Sequence, residues 1–191
     1  MIVPTASSGY LTDTLLVATR SVNDGCFDKT VIYICAHNQH GAMGVIVNMP
    51  LKGITVKTLL DELDISHVKQ LSPDPIYFGG PIDTNQGFVI HTDDQDYKGT
   101  TTNPSGICFS AGISALEDIA QGRGPAQTII TLGYAGWAAG QLEDELQTGS
   151  WITVPATYAL LFDTPADAKW AATAGTLGVD LDRLSSEVGH A

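Results

Sequence analysis

The spacing of hydrophobic residues along the chain is typical of β-strands in some segments and of α-helices in others. Four apolar runs predict strands, at residues 14–18, 31–36, 43–48 and 128–132. The polar segment 37–41 between the second and third runs has turn chemistry, which predicts a hairpin there. Pro50 follows the third run and is expected to end it.

Four other segments have the apolar spacing of helices. The first begins after Thr55, which can cap it, and the second near a capping-box pattern at residues 114–117. An acidic helix is expected after residue 141, and a last one after Pro165. The apolar face of this last helix is predicted at Trp170, Ala174 and Leu177.

Between these elements, residues 76–78 and 88–90 form two short apolar runs around Gly79-Gly80-Pro81. This arrangement predicts a β-hairpin with an irregular tip. Residues 93–106 are polar and predict a mobile loop. Since the early strands follow one another without intervening helices, the sequence predicts one α+β domain over residues 1–191.

The segment 132–143 places three glycines and two aromatic residues after an apolar run. Glycine permits positive φ and close backbone approach, so the segment predicts a corner where a strand turns into a helix. Such a corner is either a tightly packed element or the floor of a pocket, and both interpretations remain open at this point. The residues predicted to bind a ligand are Gly79, Gly80, Gly133, Tyr134, Gly136, Trp137 and Gln141.

The charge balance limits the partners of this chain. Nine Lys and Arg residues stand against 21 Asp and Glu residues, which gives a net charge of −12. Nucleic-acid backbones and anionic membrane surfaces are bound by clustered cations, and the three arginines here are scattered. Direct binding to either is therefore not expected. The chain has no membrane-length apolar run and no basic start of a secretory signal, so a cytoplasmic location is predicted.

The order and spacing of short motifs resemble those of the AlgH/YqgE family of bacterial proteins over nearly the whole chain. The matching landmarks are Gly9-Tyr10-Leu11, Asp24 with Phe27, Val31 to His37, Gly41-Ala42-Met43-Gly44 with Asn48 and Pro50, Gly79-Gly80-Pro81, Gly87-Phe88-Val89-Ile90-His91, Gly133-Tyr134-Ala135-Gly136-Trp137, Gly140-Gln141-Leu142-Glu143, Trp151, Trp170 and Gly189-His190-Ala191. The resemblance implies a cytosolic α+β protein whose mixed, mostly antiparallel sheet is bent or forked into a partial barrel, with helices packed on it. Some members of the family are labelled transcriptional regulators tied to alginate production. The resemblance implies no reaction, no cofactor and no catalytic residues.

Histidines are the main candidates for catalytic or metal-binding residues. His37 and His91 each end a predicted strand, and one sheet end could bring them together with Asn48 in a cleft, the imidazoles within about 10 Å of each other. His37 and His40 also form an H-x-x-H pattern, but no nearby third ligand supports a metal site. The alternative interpretation is that these histidines are hydrogen-bonded structural residues.

Three functions follow in order of preference. The first is a non-catalytic regulatory module that binds a small ligand or a protein partner and acts on transcription indirectly. The second is an enzyme whose cleft is lined by His37, His91 and Asn48. A regulator that binds DNA directly comes last, because the charge opposes it. No metal and no cofactor are expected.

Overall fold

The computed structural model describes residues 10–19 and 27–178. In this part of the chain it has ten β-strands, four α-helices and one π-helical segment, Ala159–Asp163. The strands are β1 (Thr14–Ala18), β2 (Val31–Asn38), β3 (Gly41–Ile46), β4 (Pro50–Thr55), β5 (Pro75–Phe78), β6 (Ile82–His91), β7 (Thr101–Thr102), β8 (Cys108–Ala111), β9 (Thr128–Ala138) and β10 (Trp151–Pro155). The helices are α1 (Val56–Glu62), α2 (Ser114–Ala120), α3 (Gln141–Gln147) and α4 (Ala166–Gly175).

One sheet, curled into a half-barrel, organises these elements. Its main path runs β10-β1-β2-β3-β9-β6-β8-β7, and all neighbours on this path are antiparallel. The pair β4 and β5 joins the sheet where β5 lies parallel to β9. Helices pack on the sheet, so the predicted α+β class with a mixed, mostly antiparallel, partly closed sheet is confirmed.

Local sequence signals correctly predict the first hairpin and the first helix. Strands β2 and β3 pair across a two-residue turn, Gln39-His40. Helix α1 begins after Thr55, whose side-chain oxygen accepts a hydrogen bond from the N–H of Thr58. In both places neighbouring residues supply all the information, since turn and capping chemistry acts over a few positions.

The hairpin predicted around Gly79-Gly80-Pro81 is wrong. Strands β5 and β6 do not pair with each other but lie on opposite edges of β9, where Tyr77 and Phe88 both have Thr131 as their partner. The chain therefore crosses over β9 between the two strands. The two runs have the composition of hairpin strands, but β9, from far along the chain, takes the place between them.

Three predicted boundaries are also wrong. Strand β9 does not end at the glycine-aromatic segment but continues through it to Ala138. Strand β3 already ends at Ile46, and Pro50 begins β4. Proline suits the first residue of a strand because that position can lack a backbone N–H donor. Helix α2 has Ile113 at its N-cap with no side-chain capping bond, so the capping box at residues 114–117 does not form.

Buried side chains form three clusters around the curled sheet. One lies between the sheet and the C-terminal elements and includes Tyr33, Ile90, Leu161 and Ala174. A second lies under α3 and contains Trp137 and Trp151. The third lies under α1 and α2. Among the helices of the described ranges, none has the length and apolar character needed to cross a membrane.

Candidate functional site: a cleft beside a buried lysine

A cleft of about 630 Å³ opens where the π-helical segment and the start of α4 face the edge of the sheet at β5 and the beginning of β9. Its wall combines apolar side chains with polar groups on several elements. The polar and charged residues of the wall are Gln70, Ser72, Asp74, Tyr77, Gln127, Thr128, Asp163, Thr164 and Lys169. Volumes of about 300–1,000 Å³ are typical of small-molecule sites.

Lys169 is the most unusual member of this wall. The residue is only 2% exposed, although lysine is almost never fully buried without a partner. Its Nζ donates hydrogen bonds to the carbonyl oxygens of Leu160, at 2.9 Å, and Leu161. Among the described residues, no carboxylate forms an ion pair with it. The hydrogen bonds of the amine thus go to backbone carbonyls.

The π-helical segment explains why those carbonyls accept from a side chain. The C-terminal carbonyls of a helix lack partners in the helix itself and need other donors. Thr164 Oγ1 donates to the carbonyl of Ala159 at 2.7 Å, and Lys169 Nζ donates to the carbonyls of the next two residues, Leu160 and Leu161. π-helical turns are rare and frequently lie at functional sites.

Burial also changes the acidity of this amine. Desolvation penalises the ammonium form and lowers the pKa of Lys169 from 10.5 to about 8, while the negative charge of Asp163 opposes the shift. A group with a lowered pKa in the folded state stabilises the protein above its unfolded pKa, and this contribution is lost as the pH falls through the folded value.

We therefore compare the free energies of unfolding of the wild type and of Lys169→Met. Their difference, wild type minus variant, should rise by about 2 kcal/mol between pH 8 and pH 10.5, which are the folded and unfolded pKa values of Lys169. Urea unfolding at several pH values under reducing conditions measures this difference. Tyr33 and Cys35 also titrate at alkaline pH, but they are present in both proteins and cancel in the difference. A difference that stays flat over this range would contradict the lowered pKa.

The sequence contains little that singles out Lys169. It precedes Trp170 on the last predicted helix, and the predicted apolar face was Trp170, Ala174 and Leu177. The structure instead buries Lys169, Thr173 and Ala174 and leaves Leu177 exposed. A lysine in an alanine-rich helix has the same pattern whether it is solvated or buried, so only the packing against the π-helical segment reveals it.

His37 is held in one tautomer by two contacts. The N–H of Leu11 donates to its Nδ1 at 2.9 Å, so Nε2 carries the proton and donates to Glu143 Oε1 at 3.0 Å. The ring also packs edge-on against Tyr10. Both nitrogens are used, which leaves this imidazole no free lone pair to accept a proton from a substrate.

His91 forms a similar closed network at another place. Its Nδ1–H donates to the carbonyl of Thr92 at 2.7 Å, and Ser110 Oγ donates to its Nε2 at 2.8 Å. A serine paired with an oriented histidine is the arrangement of nucleophilic catalysis. Here His91 is 0% and Ser110 3% exposed, and Ser110 Oγ is also bonded to Thr100 Oγ1. Neither residue belongs to the wall of the cleft beside Lys169. Burial lowers the pKa of His91.

The expectation that His37, His91 and Asn48 line one cleft is wrong. His37 pairs with Ala42 and Ala42 with Trp137, whereas His91 pairs with Thr128, nine residues earlier on β9. At about 3.3 Å per residue this separates the histidines by roughly 30 Å of strand. Asn48 lies at the far end of β2 from His37, where its side chain accepts from Val31 N–H and donates to the carbonyl of Lys29.

The predicted ligand-binding glycines meet at the crossover over β9. A Cβ on Gly79 would lie 2.2 Å from the carbonyl oxygen of Gly133, and one on Gly80 would lie 2.2 Å from the backbone carbon of Tyr134. Gly136 faces Ile82, whose Cδ1 would be 3.1 Å from an added Cβ. Close backbone approach therefore requires glycine at positions 79 and 80, whereas Gly136 meets only side-chain atoms. The contact of these glycines with a ligand stays a prediction.

Three predicted binding residues are not glycines. Tyr134 packs edge-on against Phe88, whereas Trp137 and Gln141 converge on one carboxylate. Trp137 Nε1 and Trp151 Nε1 donate to Glu145 Oε2 at 2.8 and 2.7 Å, and Gln141 Nε2 donates to Glu145 Oε1 at 2.9 Å. This cluster fastens α3 to the sheet. The described part of the chain contains no group of three or more His, Cys, Asp or Glu side chains arranged to hold a metal ion.

Comparison with known proteins places this fold in a family. A family model described as AlgH-like matches residues 15–182. A UPF0301 protein of Ralstonia nicotianae is 41% identical over 182 residues, covering 95% of each chain, and one of Nitrosospira multiformis is 43% identical over 182 residues, covering 95% of this chain and 97% of the relative. The chain belongs to the AlgH-like family of UPF0301 proteins, as its motifs predict.

Two solved structures share the architecture. The solution structure of the AlgH protein from Pseudomonas aeruginosa matches with a TM-score of 0.75 and 38% identity, covering 99% of this chain and 100% of that one. A crystal structure of a Corynebacterium diphtheriae protein matches with a TM-score of 0.71 and 21% identity over 92% of each chain. The second likeness shows a common fold alone.

Proposed function

We propose that this protein is a non-catalytic binding module and that its small ligand occupies the cleft beside Lys169. The observation that carries the proposal is the coincidence of a cavity of about 630 Å³ with a buried amine in its wall that forms no ion pair with a carboxylate of the described residues. Binding sites combine apolar walls with a few convergent polar groups, and this cleft provides both. The glycine crossover lies at the other end of β5 and holds the strands that form one side of the cleft.

The histidines support a binding role over an enzymatic one. General base catalysis needs an imidazole nitrogen within reach of the substrate. Both nitrogens of His37 and both of His91 are engaged within the protein, and the two rings lie far apart along β9. The enzyme whose cleft would be lined by His37, His91 and Asn48 is therefore not favoured, since the sheet holds these residues apart.

A regulatory role, indirect and in the cytoplasm, is part of the same proposal. The net charge of −12 disfavours contact with DNA, so an effect on transcription would pass through a ligand or a protein partner. Direct DNA binding is the least favoured function for the same reason.

A binding screen that follows the NMR signals of the cleft residues tests the proposal. Nucleosides, monosaccharides, amino acids and short aldehydes are added singly to the full chain, and backbone amide shifts are followed by NMR. We expect a compound of this panel to shift residues around Ser72, Gln127 and Asp163, which line the cleft. Shifts confined to residues outside the cleft, or no shifts with any compound, would refute the proposal.

A matched pair of variants makes the readout specific. Ser72→Trp places a bulky ring at an exposed position in the cleft wall, and Thr101→Trp places the same ring on the exposed strand β7. The first variant should weaken binding at least about tenfold and the second should leave it unchanged, since only the first fills the cavity. If both variants bind the ligand with equal affinity, the ligand does not occupy the cleft.

A further inference from the structure

We propose that Lys169 is the covalent attachment point for a carbonyl ligand, an aldehyde or ketone that forms an imine with the ε-amine inside the cleft. This inference rests on the proposed function, because it names the chemistry by which the same cleft would hold its ligand. The cavity, the burial of the amine and its two carbonyl contacts carry it.

The hydrogen bonds of Nζ leave one direction open. Its two acceptors among the described residues are the carbonyls of Leu160 and Leu161. A neutral amine has two N–H groups, and these two acceptors engage both. The lone pair then occupies the remaining direction. Because Lys169 belongs to the cleft wall, a carbonyl ligand in the cleft would approach the amine from this side.

Burial, against the effect of a neighbouring carboxylate, supplies the neutral form of Lys169. Asp163 on the π-helical segment favours the ammonium, and Asp74 and the phenol of Tyr77 face the same cleft from the sheet edge. Desolvation outweighs Asp163, and with a pKa of about 8 roughly a tenth of Lys169 is neutral at neutral pH. An exposed lysine with a pKa of about 10.4 is neutral in fewer than about one molecule in a thousand. Buried lysines of this kind are the ones that form Schiff bases.

The reaction needs no further reagent. The amine lone pair forms a bond to the carbonyl carbon, and the C=O π electrons move to oxygen. The nitrogen then loses a proton and the oxygen gains one, which gives a neutral carbinolamine. A second proton converts this hydroxyl to water, which leaves as the nitrogen lone pair forms the C=N bond of a protonated imine, and loss of that proton gives the imine. The net change is amine plus carbonyl to imine plus water. In the protonated imine the single N–H donates to one of the two backbone carbonyls.

The cleft also limits the charge of the ligand. Its wall contains two carboxylates, Asp74 and Asp163, against the single amine. A carbonyl compound that carries its own carboxylate would be repelled, whereas an uncharged one with hydroxyl groups can use Ser72, Gln127 and Thr128. The inferred ligand class is therefore an uncharged, polar aldehyde or ketone.

Reductive trapping tests the proposal. The full chain is incubated at pH 7 with glycolaldehyde and sodium cyanoborohydride, which transfers hydride to the imine carbon and leaves a stable secondary amine. Peptide mass spectrometry then follows each lysine. We expect Lys169 to be modified about tenfold faster than exposed Lys57 and Lys98, which serve as internal references. Glyoxylate, the anionic analogue, should modify Lys169 at least several-fold more slowly than glycolaldehyde does.

The pH dependence and two variants complete the test. The rate at Lys169 should level off above about pH 8, while the rates at Lys57 and Lys98 continue to rise. Ser72→Trp should slow modification of Lys169 several-fold and leave Lys98 unaffected, and in Lys169→Arg the modification at this site disappears. Modification of Lys169 no faster than that of Lys98 would overturn the proposal, and so would modification that Ser72→Trp does not slow.

The outcome separates this inference from the proposed function. If Lys169 is not trapped but panel compounds still shift the amides of the cleft, the imine is refuted and the binding role stands. If no compound perturbs the cleft and Lys169 is not trapped, both fail.

Discussion

Replacing Gly133 with alanine is expected to lower the free energy of unfolding by at least about 3 kcal/mol. Gly133 has a φ of +74°, and a Cβ there would lie 2.3 Å from the carbonyl oxygen of Gly80 and 3.0 Å from that of Ile82. Both obstacles are backbone atoms of the segment that crosses β9. A rotamer change cannot remove the overlap, so the crossover itself would have to move. Urea unfolding measures the loss, and a marginal domain could fail to fold at all.

Gly53 provides the control for this prediction. Its φ is +76°, nearly that of Gly133, but an added Cβ would meet nothing within 4 Å. Gly53→Ala therefore isolates the cost of the left-handed backbone, about 1–2 kcal/mol. If Gly133→Ala costs no more than Gly53→Ala, the crossing segment leaves room for a Cβ and the expected overlap is refuted. Soluble expression of both variants, followed by circular dichroism, gives a readout even if the first one is too unstable to titrate.

Glu145→Ala is the second substitution expected to have a large effect, a loss of about 3 kcal/mol or more. Its Oε2 accepts from the indole N–H groups of Trp137 and Trp151, which are 7% and 6% exposed. Alanine leaves both buried donors without an acceptor, and each unsatisfied donor costs about 1–3 kcal/mol. The bond from Gln141 is lost as well. The two indole rings also lie edge to face, 6.1 Å between centroids, so the near-ultraviolet circular dichroism should change with them.

The matched variant is Glu145→Gln, which keeps a side-chain oxygen at nearly the same position. It removes the charge but still accepts a hydrogen bond, so we expect a loss of about 1 kcal/mol. Equal losses for the alanine and glutamine variants would show that hydrogen bonding to the indoles is unimportant, and that the carboxylate contributes through its charge alone.

The parts of the fold that were predicted correctly depend on neighbouring residues. The β2–β3 hairpin follows from two apolar runs with turn residues between them, and α1 follows from Thr55 and the spacing of Val56, Leu59 and Leu60. Motif order along the chain identified the family, and the family model and the relatives confirm it. Each of these signals is complete within a short stretch or is read directly from residue identity.

The candidate site was predicted poorly because it depends on contacts between distant segments. His37 and His91 both end strands, but which ends meet depends on the pairing of β3, β9 and β6. The glycines of the crossover stand out in the sequence, but their close packing against Gly133 and Tyr134 requires two strands about 50 residues apart in the chain to touch. No local pattern contains that information.

The sequence by itself determined the family, the α+β class, the acidic character and the first hairpin and helix of this protein. The tertiary structure alone decided that β9 separates β5 from β6, that the two histidines lie far apart, and that Lys169 is buried beside a cleft. The physical reason is that turn propensity, capping and net charge are properties of residues near one another in the chain. Desolvation of an amine and the meeting of backbones at a crossover arise only when distant segments pack together.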